Sequence, residues 1–212
     1  MEAQPAAGSY PVQFDVAYPD RDLNRLTTFF RIFVAIPILI VMAALGGEHW
    51  SWGAHGTGYA SAGGSVLFLP VLLMVLFRQK YPRWWYDWNL ELLRFENRVA
   101  VYLALMDDRY PSTDERQGVA LDFPYPDVKQ DLNRWLPLVK WFLAIPHYIL
   151  LLFLGIAAVV CVIIAWFAIL FTGRYPRGMF DFVTGVMRWS LRVTAYAFLL
   201  VTDRYPPFSL NA

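Results

Sequence analysis

Cysteine and histidine are scarce in this 212-residue chain, which contains one cysteine and three histidines. The single cysteine, Cys161, excludes an intramolecular disulfide, and no Cys and His cluster has metal-ligand spacing. The sequence also lacks a glycine-rich phosphate loop, a nucleotide fingerprint and a Ser-His-Asp order. We therefore expect no catalytic site, no cofactor and no metal, and the protein is not predicted to be an enzyme.

Two histidine-containing places leave an alternative open. Glu48, His49 and His55 share one Gly-rich segment and, with a further ligand, could hold zinc or copper. Scattered histidines in such a segment more often belong to a plain loop. His147 lies inside an apolar run, where a neutral imidazole bonded to a neighbouring helix is favoured over a proton relay. The matching place earlier in the chain is Ile38.

Basic residues are missing from two long stretches, although 17% of the residues are charged. No Lys or Arg occurs in residues 32–77 or 141–173, and the whole chain is 58% hydrophobic and 17% aromatic. This composition predicts an integral membrane protein. Nucleic acid is not an expected partner, because the basic residues alternate with acidic residues and with membrane anchors.

The apolar runs predict how the chain crosses the membrane. Residues 26–45 are long enough for one span at about 1.5 Å per residue, and residues 66–77 with part of 59–65 form a second. Residues 135–171 would be about 55 Å long as one helix, so we expect a turn at Gly155. Because the basic residues avoid both turns, four spans with both termini cytoplasmic are predicted.

An internal repeat organises the chain. Residues 81–111 and 175–206 share their spacing apart from a one-residue slip, and residues 18–37 recur at 125–146 with a two-residue insertion. The matched elements are Tyr-Pro-Asp, Asp-Leu-Asn-Arg, a basic residue, Ala-Ile-Pro, Tyr-Pro-Arg, Asp, Arg, Arg, Tyr and Asp-Arg-Tyr-Pro. The repeat divides the chain into a disordered lead (1–9), repeat 1 (10–111), a linker (112–118) and repeat 2 (119–208).

The last helix of each repeat carries a charged stripe on an apolar background. Crossing the bilayer would cost the first copy about 2.5 to 3.5 kcal/mol per central charge, so both helices are expected to lie flat at the interface. The stripe has two interpretations, namely an ion-pair brace to Asp20, Asp22, Asp127 or Asp131, and a site for anionic lipid headgroups. Its residues are Asp87, Arg94 and Arg98 in repeat 1 and Asp181, Arg188 and Arg192 in repeat 2.

The repeated motifs, together with the closing Asp-Arg-Tyr-Pro-Pro-Phe at residues 203–208, resemble the membrane proteins grouped as domain of unknown function 4389. The resemblance implies two tandem copies and a bacterial inner membrane, and it brings no established activity. The expected fold class is an all-α integral membrane protein of two tandem repeats, each a transmembrane hairpin followed by an interfacial amphipathic helix.

The expected function is that of a non-catalytic accessory or scaffold subunit that docks onto a larger membrane protein complex. A small transporter or lipid-handling carrier that uses the interface between the repeats is the alternative. Membrane lipids, anionic ones among them, and a membrane protein partner or a second copy of the chain are the expected partners.

Overall fold

The computed structural model describes residues 10–46, 71–113, 115 and 117–211. Three predictions lie outside the described residues. They are the disordered lead at residues 1–9, the metal alternative at Glu48, His49 and His55, and the first part of the second predicted span within residues 47–70.

A two-stranded antiparallel ribbon joins the two halves. Its strands are β1 (Gln13–Val16) and β2 (Val119–Asp122). Phe14 and Val16 are buried while Gln13 and Asp15 are exposed, which is the alternation of a strand with one covered face. Phe14 pairs with Leu121, its own counterpart in the predicted repeat. The all-α prediction is therefore wrong, because four alternating residues are too short a signal to stand out in an apolar sequence.

The first half continues with helices α1 (Arg25–Phe29), α2 (Arg31–Gly46) and α3 (Arg83–Leu103), with a π-helical turn at Met74–Arg78 before α3. The Asn24 side chain caps α1 by accepting from the backbone N–H groups of Leu26 and Thr27. Pro82 precedes α3 in extended conformation, which suits a helix start because the backbone N–H that proline lacks would have no partner within the helix there.

The second half has a 3₁₀ turn (Leu136–Leu138), then α4 (Lys140–Leu143), α5 (Ile145–Thr172) and α6 (Arg177–Ala197). Helix α5 ends at Gly173, whose φ of 78° lies in the left-handed region that glycine adopts without strain. Gln79 ends the π-helical turn at the matching place with a φ of 47°. Leu105 and Leu200, with φ of 63° and 56°, form a second matched pair of left-handed residues.

Helix α5 overturns the predicted hairpin, because it continues through Gly155 without a turn. A single glycine costs a helix only about 1 kcal/mol relative to alanine, and no proline accompanies it. Residues 135–144 form other elements, so the apolar helix is shorter than the run that the prediction used. Among the described residues α5 is the one helix long and apolar enough to cross a membrane. The four-span prediction is wrong.

Helix α6 is the centre of the second half. Its inner positions pack against α5 and β1, and 12 of its residues are buried. The polar stripe of α6 thus meets protein, whereas the prediction placed α6 at the membrane interface. Helix α5 covers one side of α6, while its own outer side is exposed; only 6% of its apolar window is buried.

Candidate functional site

The first arginine of each charged stripe contacts a strand, and that strand belongs to the other half. Arg188 of α6 donates from Nε to the Phe14 carbonyl at 2.8 Å and lies 3.1 Å from an Asp15 oxygen. Arg94 of α3 donates from Nε to the Leu121 carbonyl at 3.0 Å and lies 3.3 Å from an Asp122 oxygen. These contacts are equivalent, since Phe14-Asp15 and Leu121-Asp122 match in the predicted repeat and Phe14 pairs with Leu121 in the ribbon. The strand of each half thus contacts the last helix of the other half.

The second arginine of each stripe is buried and bonds backbone carbonyls. Arg192, which is 2% exposed, donates to the carbonyls of Ser209 at 3.3 Å and Asn211 at 2.7 Å. Arg98, which is 6% exposed, donates to those of Thr113 at 3.1 Å and Glu115 at 2.9 Å. In both halves the guanidinium holds the chain that follows the Asp-Arg-Tyr-Pro motif.

The carboxylates in contact with the stripe differ from the expected ones. Asp15, Asp122 and Glu91 contact the arginines, whereas Asp22 pairs with Arg174 at 2.9 Å. Asp87 and Asp181, which share the stripe by spacing, are exposed at its outer end. The four stripe arginines therefore contact strands or backbone carbonyls. Asp87 and Asp181 are exposed and take no part in those contacts.

Tyrosines form a second set of reciprocal contacts. The Tyr18 hydroxyl donates to the Tyr175 carbonyl at 2.6 Å, and the Tyr125 hydroxyl donates to the Tyr81 carbonyl. Each ring also lies under an arginine of the other half, with Arg177 at 4.5 Å from the Tyr18 centroid and Arg83 at 5.4 Å from that of Tyr125. Burial raises the pKa of Tyr81 and Tyr175, so both hydroxyls stay neutral, and that of Tyr81 donates to the Leu199 carbonyl at 2.9 Å.

A buried cation lies near the start of the apolar helices in each half. Lys140, which is fully buried, contacts an Asp203 oxygen at 2.7 Å and donates to the Thr202 carbonyl at 2.7 Å. Its counterpart Arg31 donates to the Asp107 carbonyl at 2.8 Å and lies 4.0 Å from the Tyr102 ring centroid. Burial lowers the pKa of Lys140, and the Asp203 carboxylate opposes that change.

His147 distinguishes the second half from the first. Its Nδ1 accepts from the Trp189 indole N–H at 3.0 Å, and its ring stacks on Phe208 with centroids 4.1 Å apart. The expectation of a histidine bonded to a neighbouring helix is confirmed. In the first half Ile38 packs in one cluster with Phe95, at the places of His147 and Trp189. A hydrogen-bonded pair thus replaces an apolar pair.

One family model matches part of the second half of the chain. Residues 135–209 match the family model of a domain of unknown function, DUF4389. No curated protein and no solved structure matches the chain. The DUF4389 match spans about a third of the sequence and includes α5, α6, Lys140 with Asp203, and the arginines Arg188 and Arg192 themselves.

Sequence reasoning missed the strand partners and the Lys140–Asp203 pair. The strands had only a short signal, in which Val12, Phe14 and Val16 alternate with Gln13 and Asp15 in one half and Leu121 lies between Ala120 and Asp122 in the other. The pairing of Lys140 with Asp203 had no sequence signal. Thr202, which precedes Asp203 and also bonds Lys140, is 62 residues from Lys140, and only the fold brings these residues together.

Proposed function

We propose that the protein is a membrane-anchored, non-catalytic scaffold that holds a helix of a partner membrane protein against α5. The exposed outer side of α5 carries this proposal. Large apolar side chains such as Leu152, Phe153 and Ile156 are 63%, 64% and 56% exposed. Contiguous apolar surface of this extent marks contact with lipid or with another protein.

A shallow groove on α5 is the proposed binding site for the partner helix. It has a volume of about 490 Å³ and is lined by aliphatic side chains around Gly155. A Cβ built on Gly155 would meet no atom within 4 Å, so the backbone is open to a neighbour there. Helices in membranes approach most closely at such small residues, which favours a helix as the occupant of the groove.

The interior contacts support a scaffold over a carrier. The stripe arginines bond carbonyls and carboxylates of their own chain, and Arg94 and Arg188 do so across the two halves. We infer that the halves are two copies of one unit in a bacterial inner membrane, with the reciprocal Tyr18 and Tyr125 contacts as support. The groove around Gly155 has aliphatic walls, which suit helix packing better than passage of a polar solute.

Photo-crosslinking in native membranes tests the docking. A photoreactive residue at Ile156, which lines the groove, is expected to give one discrete protein adduct, whereas the same residue at Phe153, exposed beside the groove, gives lipid adducts only. Gly155→Leu should abolish the protein adduct without lowering the melting temperature, because the added side chain meets open space. Lipid adducts alone from Ile156, in protein that remains in the membrane fraction, would refute the scaffold.

A further inference from the structure

Two clefts lie at equivalent places between the halves. The first lies between the Tyr18-Pro19-Asp20 loop and Tyr175, with a volume of about 200 Å³. The second lies between the Tyr125-Pro126-Asp127 loop and Tyr81, with a volume of about 640 Å³. We call them the small cleft and the large cleft. Both clefts contain the reciprocal tyrosine contacts, so the other residues that line them distinguish one cleft from the other.

The cations of the small cleft are neutralised by neighbours. Arg21 donates to both oxygens of Asp108, and its guanidinium also lies 3.7 Å from an Asp107 oxygen. Arg174 lies 2.9 Å from an Asp22 oxygen. An anionic ligand would have to displace these carboxylates to reach either arginine.

The large cleft has basic side chains without such partners. Arg78, Lys80 and Lys129 line it, and none of them makes an ion pair within the described part of the chain. Asp127 is the carboxylate that lines the cleft, and its Oδ1 accepts from the Lys129 backbone N–H at 3.0 Å. Asp131 is held nearby by accepting from the Asp127 backbone N–H at 3.1 Å. The lining thus has three cations to one carboxylate.

The position of the large cleft is at a border between apolar and charged surface. One wall is the π-helical turn Met74–Arg78, and just before Arg78 the chain exposes Phe77 at 68% and Leu73 at 45%. The opposite wall presents Tyr125 and Val128. A molecule in the cleft would have its charged part against the cations and its apolar part beside Phe77 and Leu73. Lipid headgroups lie at such borders.

The backbone at the large cleft is strained where that of the small cleft is not. Gln79 lines the large cleft with a φ of 47°, while Gly173 occupies the matching place beside the small cleft. A left-handed residue other than glycine costs about 1 kcal/mol or more, and such residues concentrate at binding sites. This conformation places Arg78 and Lys80, on either side of Gln79, at the same cleft.

We propose that the large cleft binds a phosphate group, supplied by an anionic phospholipid headgroup or by free phosphate. Arg78 offers a planar fork that fits phosphate oxygens, and the ammonium groups of Lys80 and Lys129 add charge from both walls. The volume of about 640 Å³ accommodates a headgroup. This site is separate from the Gly155 groove and does not depend on the scaffold proposal.

Ligand-induced stabilisation of the detergent-purified full chain tests the site. Short-chain phosphatidic acid is expected to raise the melting temperature of the wild type, and short-chain phosphatidylcholine is not. Lys80→Ala with Lys129→Ala should weaken phosphatidic acid binding at least about tenfold, because two charged contacts are lost. The matched control is Arg174→Ala, which removes the small-cleft counterpart of Lys80 and should leave binding unchanged.

Each arm of the experiment decides one point. Stabilisation by inorganic phosphate equal to that by phosphatidic acid identifies free phosphate as the source, and stabilisation by the lipid alone identifies a headgroup. Both lysines are exposed, so the double variant is expected to keep its far-ultraviolet circular dichroism and its ligand-free melting temperature. The proposal is overturned if the double variant binds phosphatidic acid as the wild type does, or if neither probe stabilises the wild type.

Discussion

Asp203→Asn is expected to destabilise the protein by about 3 kcal/mol, because it leaves the Lys140 ammonium in the interior without its anion. Lys140 is fully buried, and Asp203 lies 2.7 Å away with only 20% of its side chain exposed. Removing one partner of such a pair costs more than the pair itself contributes, since the remaining charge has lost its water and gains nothing in return. Chemical denaturation in mild detergent measures the loss.

The first half supplies the control for this experiment. Asp108→Asn changes the residue equivalent to Asp203, but Arg31, the counterpart of Lys140, bonds the Asp107 carbonyl and the Tyr102 ring instead of a carboxylate. The amide oxygen introduced by this substitution would still accept from the Asn24 backbone N–H, as the Asp108 carboxylate does. We expect a loss of about 1 kcal/mol or less, mainly from the exposed Arg21 contact. Equal losses in the two variants would contradict the assigned role of Asp203.

The same pair predicts a dependence of stability on pH. Burial lowers the pKa of Lys140 in the folded protein below the ordinary lysine value of 10.5. In the interval between the two values the unfolded chain binds more protons than the folded chain, so stability rises with pH there. Asp203→Asn removes the carboxylate that opposes this lowering of the Lys140 pKa, so the folded-state pKa falls further and the pH interval extends to lower pH. The variant should therefore recover part of its lost stability between pH 7 and about pH 10, more than the wild type gains.

Replacing Arg188 and Arg192 together by alanine is expected to cost about 4 kcal/mol or more, since hydrogen bonds to a charged group contribute about 1.5 to 3 kcal/mol each. Arg188 bonds the carbonyls of Phe14 at 2.8 Å and Leu210 at 3.1 Å, and Arg192 bonds those of Ser209 and Asn211. The loss should appear as a lower melting temperature. Phospholipid retained by the folded fraction should not change.

Two variants separate this role from lipid binding. Asp181→Ala lies on the same stripe but at an exposed position, and it should change stability by less than about 0.5 kcal/mol. Arg94→Ala with Arg98→Ala removes the equivalent contacts in the first half and should also destabilise. If the Arg188 and Arg192 variant instead loses lipid at an unchanged melting temperature, these arginines bind headgroups and do not brace the fold.

The spacing of the repeat predicted which residues would behave alike. Arg94 and Arg188, Arg98 and Arg192, and the two Tyr-Pro turns make equivalent contacts in the structure. Spacing carries no information on which half supplies each partner. A helix that contacts its own strand and one that contacts the strand of the other half have identical sequence patterns, so only the structure shows the exchange.

Hydropathy alone misplaced the apolar elements. The expected turn at Gly155 followed from treating residues 135–171 as one helix, whereas Leu136–Leu138 and Lys140–Leu143 are separate elements and α5 begins at Ile145. The interfacial position of α6 was inferred from its repeat counterpart α3, whose charges would be costly in lipid. That cost does not arise where carbonyls of the same chain satisfy the guanidinium groups, as they do for Arg192.

The large cleft was beyond sequence reasoning for a related reason. Arg78 and Lys80 precede Tyr81, and Lys129 lies in the loop after Tyr125, so nothing in the sequence joins them. The hydrogen bond from the Tyr125 hydroxyl to the Tyr81 carbonyl brings the two segments together. The difference from the small cleft then depends on whether carboxylates pair with the lining cations, which only three-dimensional contacts reveal.

The exchange of strands between the halves is tested most directly by cysteine cross-linking within single molecules. In a Cys161→Ala background, cysteines at Asp15 and Arg188 place one thiol on β1 and one on the helix of the other half, where the native side chains are 3.1 Å apart. Cysteines at Asp15 and Arg94 instead join β1 to the helix of its own half. With a short bifunctional thiol reagent, we expect an intramolecular cross-link in the first pair and none in the second. A cross-link in the second pair and not in the first would contradict the exchange.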